Sequence, residues 1–279
     1  MSAQTLTRRL TTLDLAKMKT QQQPIACLTA YDYPSARFCE QAGVDVILIG
    51  DSMNNVVYGE KDTLSLTVQD MIRPVRAVVQ ATTHAMIVAD MPFLSYQTSL
   101  SEAVVQAGRF VKECGAQAVK LEGGSEWAAT IETLVRIGIP VMAHIGLTPQ
   151  RVHAMGGYRM HGKQDLERKL LLSDAKAVQN AGAYAVVLEC VEPTLAEEIT
   201  RELSIPTIGI GSGNATDGQI LVYHDLLGLT EGQTPKFVQP TAQLRAPTID
   251  AISRYVERVK DSSTLGARSH HSDSKEVNT

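Results

Sequence analysis

The sequence predicts an α/β protein with a single closed (β/α)8 TIM barrel. Short apolar runs of four or five residues alternate with longer helical patterns, which is typical of buried parallel strands joined by helices. Eight such runs occur, and four of them end in a carboxylate. In barrel enzymes the catalytic residues lie at the C-terminal ends of the strands. With 279 residues, 44% of them hydrophobic, the chain has the length of one barrel.

The predicted strands follow one another along the chain with a helix after nearly every one. The strands are residues 25–29, 44–50, 86–90, 118–121, 141–145, 185–189, 207–210 and 235–238. The helices are residues 33–42, 67–81, 99–114, 125–137, 165–181, 194–203, 220–227 and, after the last strand, 248–260. Eight strands with a closing helix favour a barrel over an open doubly wound sheet.

Residues with capping preferences mark the ends of several predicted helices. Ser99 with Glu102, and Ser125 with the acid that follows it, are typical of N-terminal caps. Three glycines follow helical runs, where a left-handed C-cap is expected: Gly115, Gly138 and Gly182. We therefore interpret these glycines as structural.

The chain divides into a polar leader (1–24, helical in part), the barrel (25–260) and a serine-rich tail (261–279) with the composition of a disordered segment. Two connections are longer than a plain barrel needs, residues 51–66 after the second strand and 146–164 after the fifth. Long loops on a compact scaffold tend to be lids or binding loops. Both leave from the strand ends where chemistry is expected.

Composition excludes several classes of partner. A net charge of −4 gives no reason to expect nucleic acid or an anionic membrane. No run of 18 apolar residues occurs and the N-terminus lacks an apolar signal-peptide core, so we expect a cytoplasmic protein. The four cysteines show no CxxC spacing, which predicts reduced structural thiols.

Asp51 and Asp90 each follow a predicted strand, so both are expected at one rim of the barrel. Two carboxylates with waters and an oxygen-rich ligand are the usual way in which proteins hold Mg²⁺. Each aspartate could instead cap a helix or pair with an arginine. With Glu122 and Glu189 at the ends of two further strands, the functional interpretation is favoured.

Lys120 and Glu122 lie two residues apart in one strand, so both side chains point to the same side. A lysine inside a barrel is costly unless a carboxylate or a bound anion compensates it. Lys120 beside an acidic metal centre therefore predicts contact with an anionic oxygen of a substrate. A purely structural ion pair and a Schiff-base lysine remain alternatives.

His144 ends the fifth strand and could bind metal, contact substrate or satisfy a core carbonyl; we favour the substrate contact. Glu189 ends the sixth strand, away from the aspartate pair, where it could transfer a proton. Residues 209–213, Gly-Ile-Gly-Ser-Gly, stand where barrels often bind phosphate, but they are no GxGxxG fingerprint. A tight glycine turn explains them equally well.

Seven short motifs together resemble the ketopantoate hydroxymethyltransferase family. They occupy residues 50–52 (Gly-Asp-Ser), 89–93 (Ala-Asp-Met-Pro-Phe), 119–123 (Val-Lys-Leu-Glu-Gly), 144–150 (His-Ile-Gly-Leu-Thr-Pro-Gln), 188–190 (Leu-Glu-Cys), 208–211 (Ile-Gly-Ile-Gly) and 217–220 (Asp-Gly-Gln-Ile). The match runs in order through residues 29–238 and in register with the predicted strands. Several motifs in register are far more specific than any one of them.

The resemblance implies a barrel of the phosphoenolpyruvate/pyruvate-binding type that transfers a hydroxymethyl group from 5,10-methylenetetrahydrofolate to 3-methyl-2-oxobutanoate. The product, 2-dehydropantoate, leads to pantothenate and coenzyme A. The chemistry implied is a Mg²⁺-stabilised enolate of the oxo acid. The family also implies a homo-oligomer, with a decamer expected.

The residue roles that the resemblance implies are Mg²⁺ binding by Asp51 and Asp90 with Glu122 in support, oxo-acid contact by Ser52, Lys120 and His144, and proton abstraction by Glu189. The chain departs from the family pattern at residues 53–55, 73–74, 156–162 and after Phe237. These segments are expected to affect folate-side contacts or subunit packing.

Two other functions fit the same residues. One is a Mg²⁺-dependent lyase or mutase of the isocitrate lyase and phosphoenolpyruvate mutase type, whose Lys-Lys-Cys-Gly-His loop is absent here. The other is a non-catalytic barrel that only binds a ligand, which would be expected to have lost an acid or the base.

Overall fold

The computed structural model describes residues 8–157, 159–232 and 234–261 and has the predicted architecture, a closed barrel of eight parallel strands in chain order. The strands are β1 (Ile25–Thr29), β2 (Val46–Ile49), β3 (Met86–Asp90), β4 (Ala118–Glu122), β5 (Val141–Gly146), β6 (Ala185–Glu189), β7 (Thr207–Ile210) and β8 (Gly218–Leu221). Strand β8 pairs with β1 and closes the barrel.

Helices cover the outside of the barrel and fill several connections. They are α1 (Thr12–Thr20), α2 (Tyr33–Ala42), α3 (Met53–Val56), α4 (Val68–Ala81), α5 (Leu100–Gly108), α6 (Ala128–Arg136), α7 (Val152–Met155), α8 (Asp165–Asn180), α9 (Pro193–Glu202), α10 (Tyr223–Leu226) and α11 (Arg245–Lys260). A π-helical turn (Arg109–Glu113) extends α5, and 3₁₀ turns precede α6 and α7.

The core has two layers, because alternate side chains of each strand point outward and inward. The outward layer packs between the barrel and its helices. The inward layer fills the barrel itself, where Leu15 and Met18 of α1 join Ile25, Val88 and Met142. Helix α1 therefore adds apolar side chains to the barrel interior.

The predicted eighth strand is wrong. Residues 235–238 lie in no strand, and β8 is instead Gly218–Leu221, which overlaps the first two residues of the predicted helix 220–227. The run Gly-Gln-Ile-Leu is too short and too polar to signal a strand, and its glycine is required because a Cβ at Gly218 would lie 2.5 Å from the carbonyl oxygen of Ile25. Pro235 has no N–H to donate to a sheet.

The helix-end predictions are mostly confirmed. Ser99 Oγ accepts a hydrogen bond from the backbone N–H of Glu102 (3.1 Å). The three glycines after helical runs have left-handed φ angles of 84°, 92° and 94°: Gly115, Gly138 and Gly182. The Ser125 prediction is wrong, because its hydroxyl donates to Asp174 Oδ1 of α8 (2.7 Å) and does not cap a helix.

The cysteines are free thiols, as predicted, and all except half-buried Cys190 are buried. Among the residues described, no helix is long and apolar enough to cross a membrane. The tail predicted to be disordered lies, from residue 262 onward, outside the described residues.

Candidate active site

The carboxyl ends of the strands surround one cavity of about 850 Å³. Its lining includes every residue for which the sequence predicted a role: Asp51, Ser52, Asp90, Lys120, Glu122, His144 and Glu189. Strands β2 to β6 supply them, since each of these residues lies in the last few positions of its strand or directly after it. Both long loops contribute to the lining as well, through Asn55 and Arg159.

Lys120 and Glu122 both point into the barrel, as the spacing of two predicts. Lys120 Nζ donates to both carboxylate oxygens of Asp90, at 2.7 and 2.8 Å, and lies 3.9 Å from Glu122 Oε1. All three side chains are almost fully buried. Burial lowers the pKa of Lys120, but Asp90, Glu122 and Asp51 together outweigh it and raise that pKa, so the ammonium stays charged.

Asp51 is buried beside this ion pair, and its backbone N–H donates to Asp90 Oδ2 (3.2 Å). Burial, followed by repulsion from Asp90 and Glu122, raises the pKa of Asp51 to about 8. Burial also raises the pKa of Asp90, although Lys120 opposes it. The raised pKa values show that the carboxylates repel one another in this buried site, so a bound cation that offsets this repulsion would be favoured.

His144 stands between Glu122 and Glu189. Its Nε2 lies 3.1 Å from Glu189 Oε2, and its Nδ1 lies 3.6 Å from Glu122 Oε1. Neither contact meets the geometry of a hydrogen bond, so the interaction between the imidazole and the two carboxylates is mainly electrostatic. Burial and Lys120 lower the pKa of His144, but the two carboxylates outweigh them and raise it to about 9. A protonated imidazole therefore lies between the carboxylates of Glu122 and Glu189.

The backbone at the ends of β5 and β6 is tightly packed. Gly146 has a φ of 95°, and a Cβ there would lie 2.3 Å from the carbonyl oxygen of Glu189. That oxygen accepts a hydrogen bond from Leu147 N–H (2.8 Å). Cys190, directly after Glu189, has a left-handed φ of 49°, an uncommon conformation for a residue with a side chain. The position of Glu189 thus depends on an unusual backbone.

Ser52 follows Asp51 where α3 begins, and its Oγ lies 2.9 Å from the hydroxyl of buried Tyr31. Sequence analysis assigned no role to Tyr31, nor to Tyr96 and Gln150, which are buried among the acids. Gln150 is the last residue of the motif at residues 144–150. Membership of that motif was the only sequence feature that could have marked it as part of the site. The tyrosines carried none, because they lie in loops without a periodic pattern.

Residues 235–238, predicted as a strand, line the mouth of the cavity instead. Phe237 packs on the backbone at Gly211, where a Cβ would lie 2.6 Å from the ring. Gly211 and Gly213 have φ angles of 64° and 78°. Residues 209–213 therefore form a tight glycine turn that admits Phe237.

The acids resemble a metal centre only in part. In the described part of the chain, no group of three or more His, Cys, Asp or Glu residues is arranged to hold a metal ion. Mg²⁺ commonly takes only one or two carboxylates and completes its shell with water and substrate. The adjacent pair Asp51 and Asp90 fits that pattern, whereas Glu122 is directed at His144 and Lys120.

The fold and the site define the class of the protein. A closed (β/α)8 barrel with buried ionisable side chains gathered at the carboxyl ends of its strands is the architecture of a TIM-barrel enzyme. The family model described as ketopantoate hydroxymethyltransferase matches residues 9–264. The chain belongs to this family.

Several relatives are similar over most of their length. The chain is 54% identical to the 3-methyl-2-oxobutanoate hydroxymethyltransferase of Carboxydothermus hydrogenoformans, covering 91% of this chain and 92% of the relative. It is 54% identical to the enzyme of the same name from Geobacter metallireducens, covering 91% and 96%. The corresponding protein of Enterococcus faecalis is 52% identical over 90% of this chain and 91% of its own.

Solved structures share the fold at low sequence identity. Phosphonopyruvate hydrolase superposes with a TM-score of 0.62 at 13% identity, covering 96% of this chain and 92% of its own. Phosphoenolpyruvate phosphomutase from Streptomyces platensis gives 0.61 at 17%, covering 94% and 91%. A 2,3-dimethylmalate lyase, a member of the PEP mutase/isocitrate lyase superfamily, gives 0.58 at 16%, covering 94% and 91%. These structures therefore share the (β/α)8 barrel that the sequence predicts for this chain.

Proposed function

We propose that this protein transfers a hydroxymethyl group from 5,10-methylenetetrahydrofolate to 3-methyl-2-oxobutanoate, giving 2-dehydropantoate for pantothenate synthesis. The observation that carries the proposal is the arrangement around one cavity of an aspartate pair, a buried lysine and a separate carboxylate, Glu189. The names of relatives more than 50% identical support the same activity.

The acidic side of the cavity suits an oxo acid bound together with a cation. Asp51 and Asp90 would hold Mg²⁺, and Glu122 would support its shell. When bound, Mg²⁺ supplies positive charge that stabilises negative charge developing on the keto oxygen. Lys120 adds a fixed positive charge beside the same oxygens, so no Schiff base is needed. Ser52 and His144 would contact the carboxylate and keto groups.

Glu189 would act as the base. Its carboxylate would take the proton from C3 of the oxo acid, and the carbanion, delocalised as an enolate, would attack the donor's methylene carbon. His144 lies 3.1 Å from Glu189 Oε2, so its positive charge holds the carboxylate in place. The attack would break one C–N bond of the methylene bridge, and water would replace the second nitrogen, so that its oxygen becomes the product hydroxyl. Tetrahydrofolate would leave with one proton from C3 and one from water on its two nitrogens.

The mouth of the cavity offers room for the donor. A volume of about 850 Å³ exceeds what a small branched oxo acid fills and is typical of a pocket for a larger ligand. Phe237 presents an apolar ring there, and Lys236 and Arg159 are cations near the mouth, Arg159 in an ion pair with Glu167 (2.8 Å). An aromatic ring suits the flat pterin, and cations suit the glutamate carboxylates of a folate.

The decisive experiment measures exchange of the C3 hydrogen of 3-methyl-2-oxobutanoate with D2O, followed by NMR without folate. We expect exchange that requires Mg²⁺, because removing the proton needs only the acid side of the cavity. Full transfer with folate is then measured separately, and Phe237→Ala should raise the KM for the donor while exchange stays unchanged.

The same experiment distinguishes the alternatives. A barrel that only binds its ligand would show no exchange with or without Mg²⁺. A lyase or mutase would convert a different 2-oxo acid or its phosphonate without any need for folate. Exchange together with folate-dependent product formation would exclude both.

A further inference from the structure

Gln150 is buried in the 3₁₀ turn (Pro149–Arg151) that follows β5, within the long loop 146–164. The loop carries this side chain back across the rim until it touches residues that follow or end β2, β3 and β4. The amide therefore joins groups far apart in the chain: Gln150 and Asp51 are separated by 99 positions.

The hydrogen bonds of Gln150 use both ends of its amide. Nε2 donates to Asp51 Oδ2 and to the carbonyl oxygen of Met91, both at 2.9 Å. Oε1 accepts from the hydroxyl of Tyr96 (3.0 Å) and from Nε2 of Gln97 (3.3 Å). Two acceptors face the nitrogen and two donors face the oxygen, so the network fixes the orientation of the amide.

The backbone of Gln150 holds a second acid. Its N–H donates to Glu122 Oε2 at 2.9 Å, which leaves Glu122 Oε1 turned toward His144 and Lys120. On Asp51, the bond from Nε2 occupies Oδ2, and within the described residues Oδ1 has no hydrogen bond. One oxygen of each acid is therefore fixed by Gln150 and the other is left for a ligand or a neighbouring charge.

We propose that Gln150 is a positioning residue that sets the orientation of Asp51 for cation binding and couples loop 146–164 to the acids of the site. The inference rests on the proposed function, in which Asp51 and Asp90 hold a divalent cation. Side chains that hydrogen-bond to metal ligands commonly contribute 10–100-fold in metal affinity. An amide is suited to this position because an apolar side chain would leave Asp51 Oδ2 and the Met91 carbonyl without their donor.

The test measures Mn²⁺ affinity in the absence of substrate, by electron paramagnetic resonance of free Mn²⁺. Gln150→Met and Gln150→Leu keep the volume and the backbone N–H but remove the donor to Asp51. We expect at least about tenfold weaker Mn²⁺ binding. Gln97→Leu is the matched control, since it removes a half-buried amide contact of the same cluster without touching an acid, and should change the affinity by less than about twofold.

A second measurement separates positioning from simple loss of structure. The C3 exchange rate of Gln150→Met should fall more at limiting than at saturating Mn²⁺, while its thermal midpoint stays near that of Gln97→Leu. A folded Gln150→Met variant that binds Mn²⁺ as tightly as the unmodified protein would overturn this inference but leave the proposed function standing. Absence of Mn²⁺ binding in the unmodified protein would overturn the proposed cation site along with it.

Discussion

At the scale of single residues, the proposed function gives proton transfer to one residue and the holding of charge to others. Glu189 lines the cavity apart from the aspartate pair, and its Oε2 lies 3.1 Å from His144 Nε2. Lys120, by contrast, is locked between acids in the interior of the barrel. Replacing Glu189 should therefore lower the rate of proton transfer, whereas replacing Lys120 should lower the stability of the fold.

Replacing Glu189 should stop proton transfer without disturbing binding. Glu189→Gln retains the shape of the side chain but cannot accept the C3 proton, so we expect exchange to fall by about 10²–10⁴-fold. Exchange is measured by NMR in D2O, and Mn²⁺ affinity serves as the control that should not change. Normal exchange in this variant would remove Glu189 as the base.

Replacing Lys120 should destabilise the fold. Lys120→Met leaves the buried carboxylate of Asp90 without its partner, and breaking a buried ion pair typically costs about 3–5 kcal/mol. The double variant with Asp90→Asn should recover part of that loss, because the uncompensated charge is gone. Urea unfolding without metal gives the free energies, and additive losses in the double variant would contradict this account.

At the scale of elements, the ends of strands and the turns between them depend on particular backbone conformations. The sequence predicted a helix cap at Gly138 but no special backbone conformation at Gly146, although both have φ angles above 90°. The difference is tertiary: no atom lies within 4 Å of a Cβ at Gly138, whereas the carbonyl of Glu189 blocks one at Gly146.

These two glycines make a matched pair. Gly138→Ala should cost about 1–2 kcal/mol, from its left-handed backbone alone. Gly146→Ala should cost more and should also slow exchange, because the added methyl pushes against the strand that carries Glu189. Urea unfolding and the exchange rate check both effects. Equal losses in the two variants would show that the contact with β6 is unimportant.

Glu40 of α2 caps the turn before β3. Its carboxylate accepts hydrogen bonds from the backbone N–H groups of Thr83, His84 and Ala85, at 2.7, 2.7 and 3.1 Å. Burial raises the pKa of Glu40, but these bonds outweigh burial and lower it. A carboxyl whose folded-state pKa is depressed stabilises the fold above its unfolded-state pKa and loses that contribution as the pH falls through the folded-state value.

Glu40→Gln should therefore destabilise the protein by about 1 kcal/mol at neutral pH, a figure reduced for the partial exposure of the site. The difference in unfolding free energy between the two proteins should shrink as the pH falls below about 4. Urea unfolding at pH 7, 5 and 3.5 measures it. A constant difference across that range would mean that the charge of Glu40 is irrelevant.

At the scale of the whole molecule, helix α11 stands out because the rest of the chain does not bury it. None of its residues is buried, and Ile252 and Tyr255 are each 58% exposed along an apolar face. Exposed apolar surface of this kind marks interaction sites. We therefore propose that the protein assembles as a homo-oligomer through this face, the decamer that the family resemblance implies.

Adding charge to that face should prevent assembly. Ile252→Asp combined with Tyr255→Asp should reduce the mass found by native mass spectrometry or light scattering, because two carboxylates cannot be buried in an apolar interface. Arg254→Asp, placed on the same helix beside Asp250, controls for added charge. An unmodified protein that is already monomeric would remove the oligomer from the proposal.

The sequence by itself determined the barrel and seven polar residues that line its cavity. Buried parallel strands need consecutive apolar residues, so seven of the eight strands and the acids at their ends could be read from local patterns. Every residue so predicted does line the cavity, although their roles toward metal and substrate stay predictions.

The tertiary structure alone decided what closes the barrel and what orients the acids. Strand β8 is held by its pairing with β1 and by the close approach of Gly218 to Ile25, neither of which leaves a local apolar signal. Gln150 reaches Asp51 across 99 positions because a loop folds back over the rim. Local periodicity records which side of a strand is buried, whereas contacts between distant loops arise only when the whole barrel has closed.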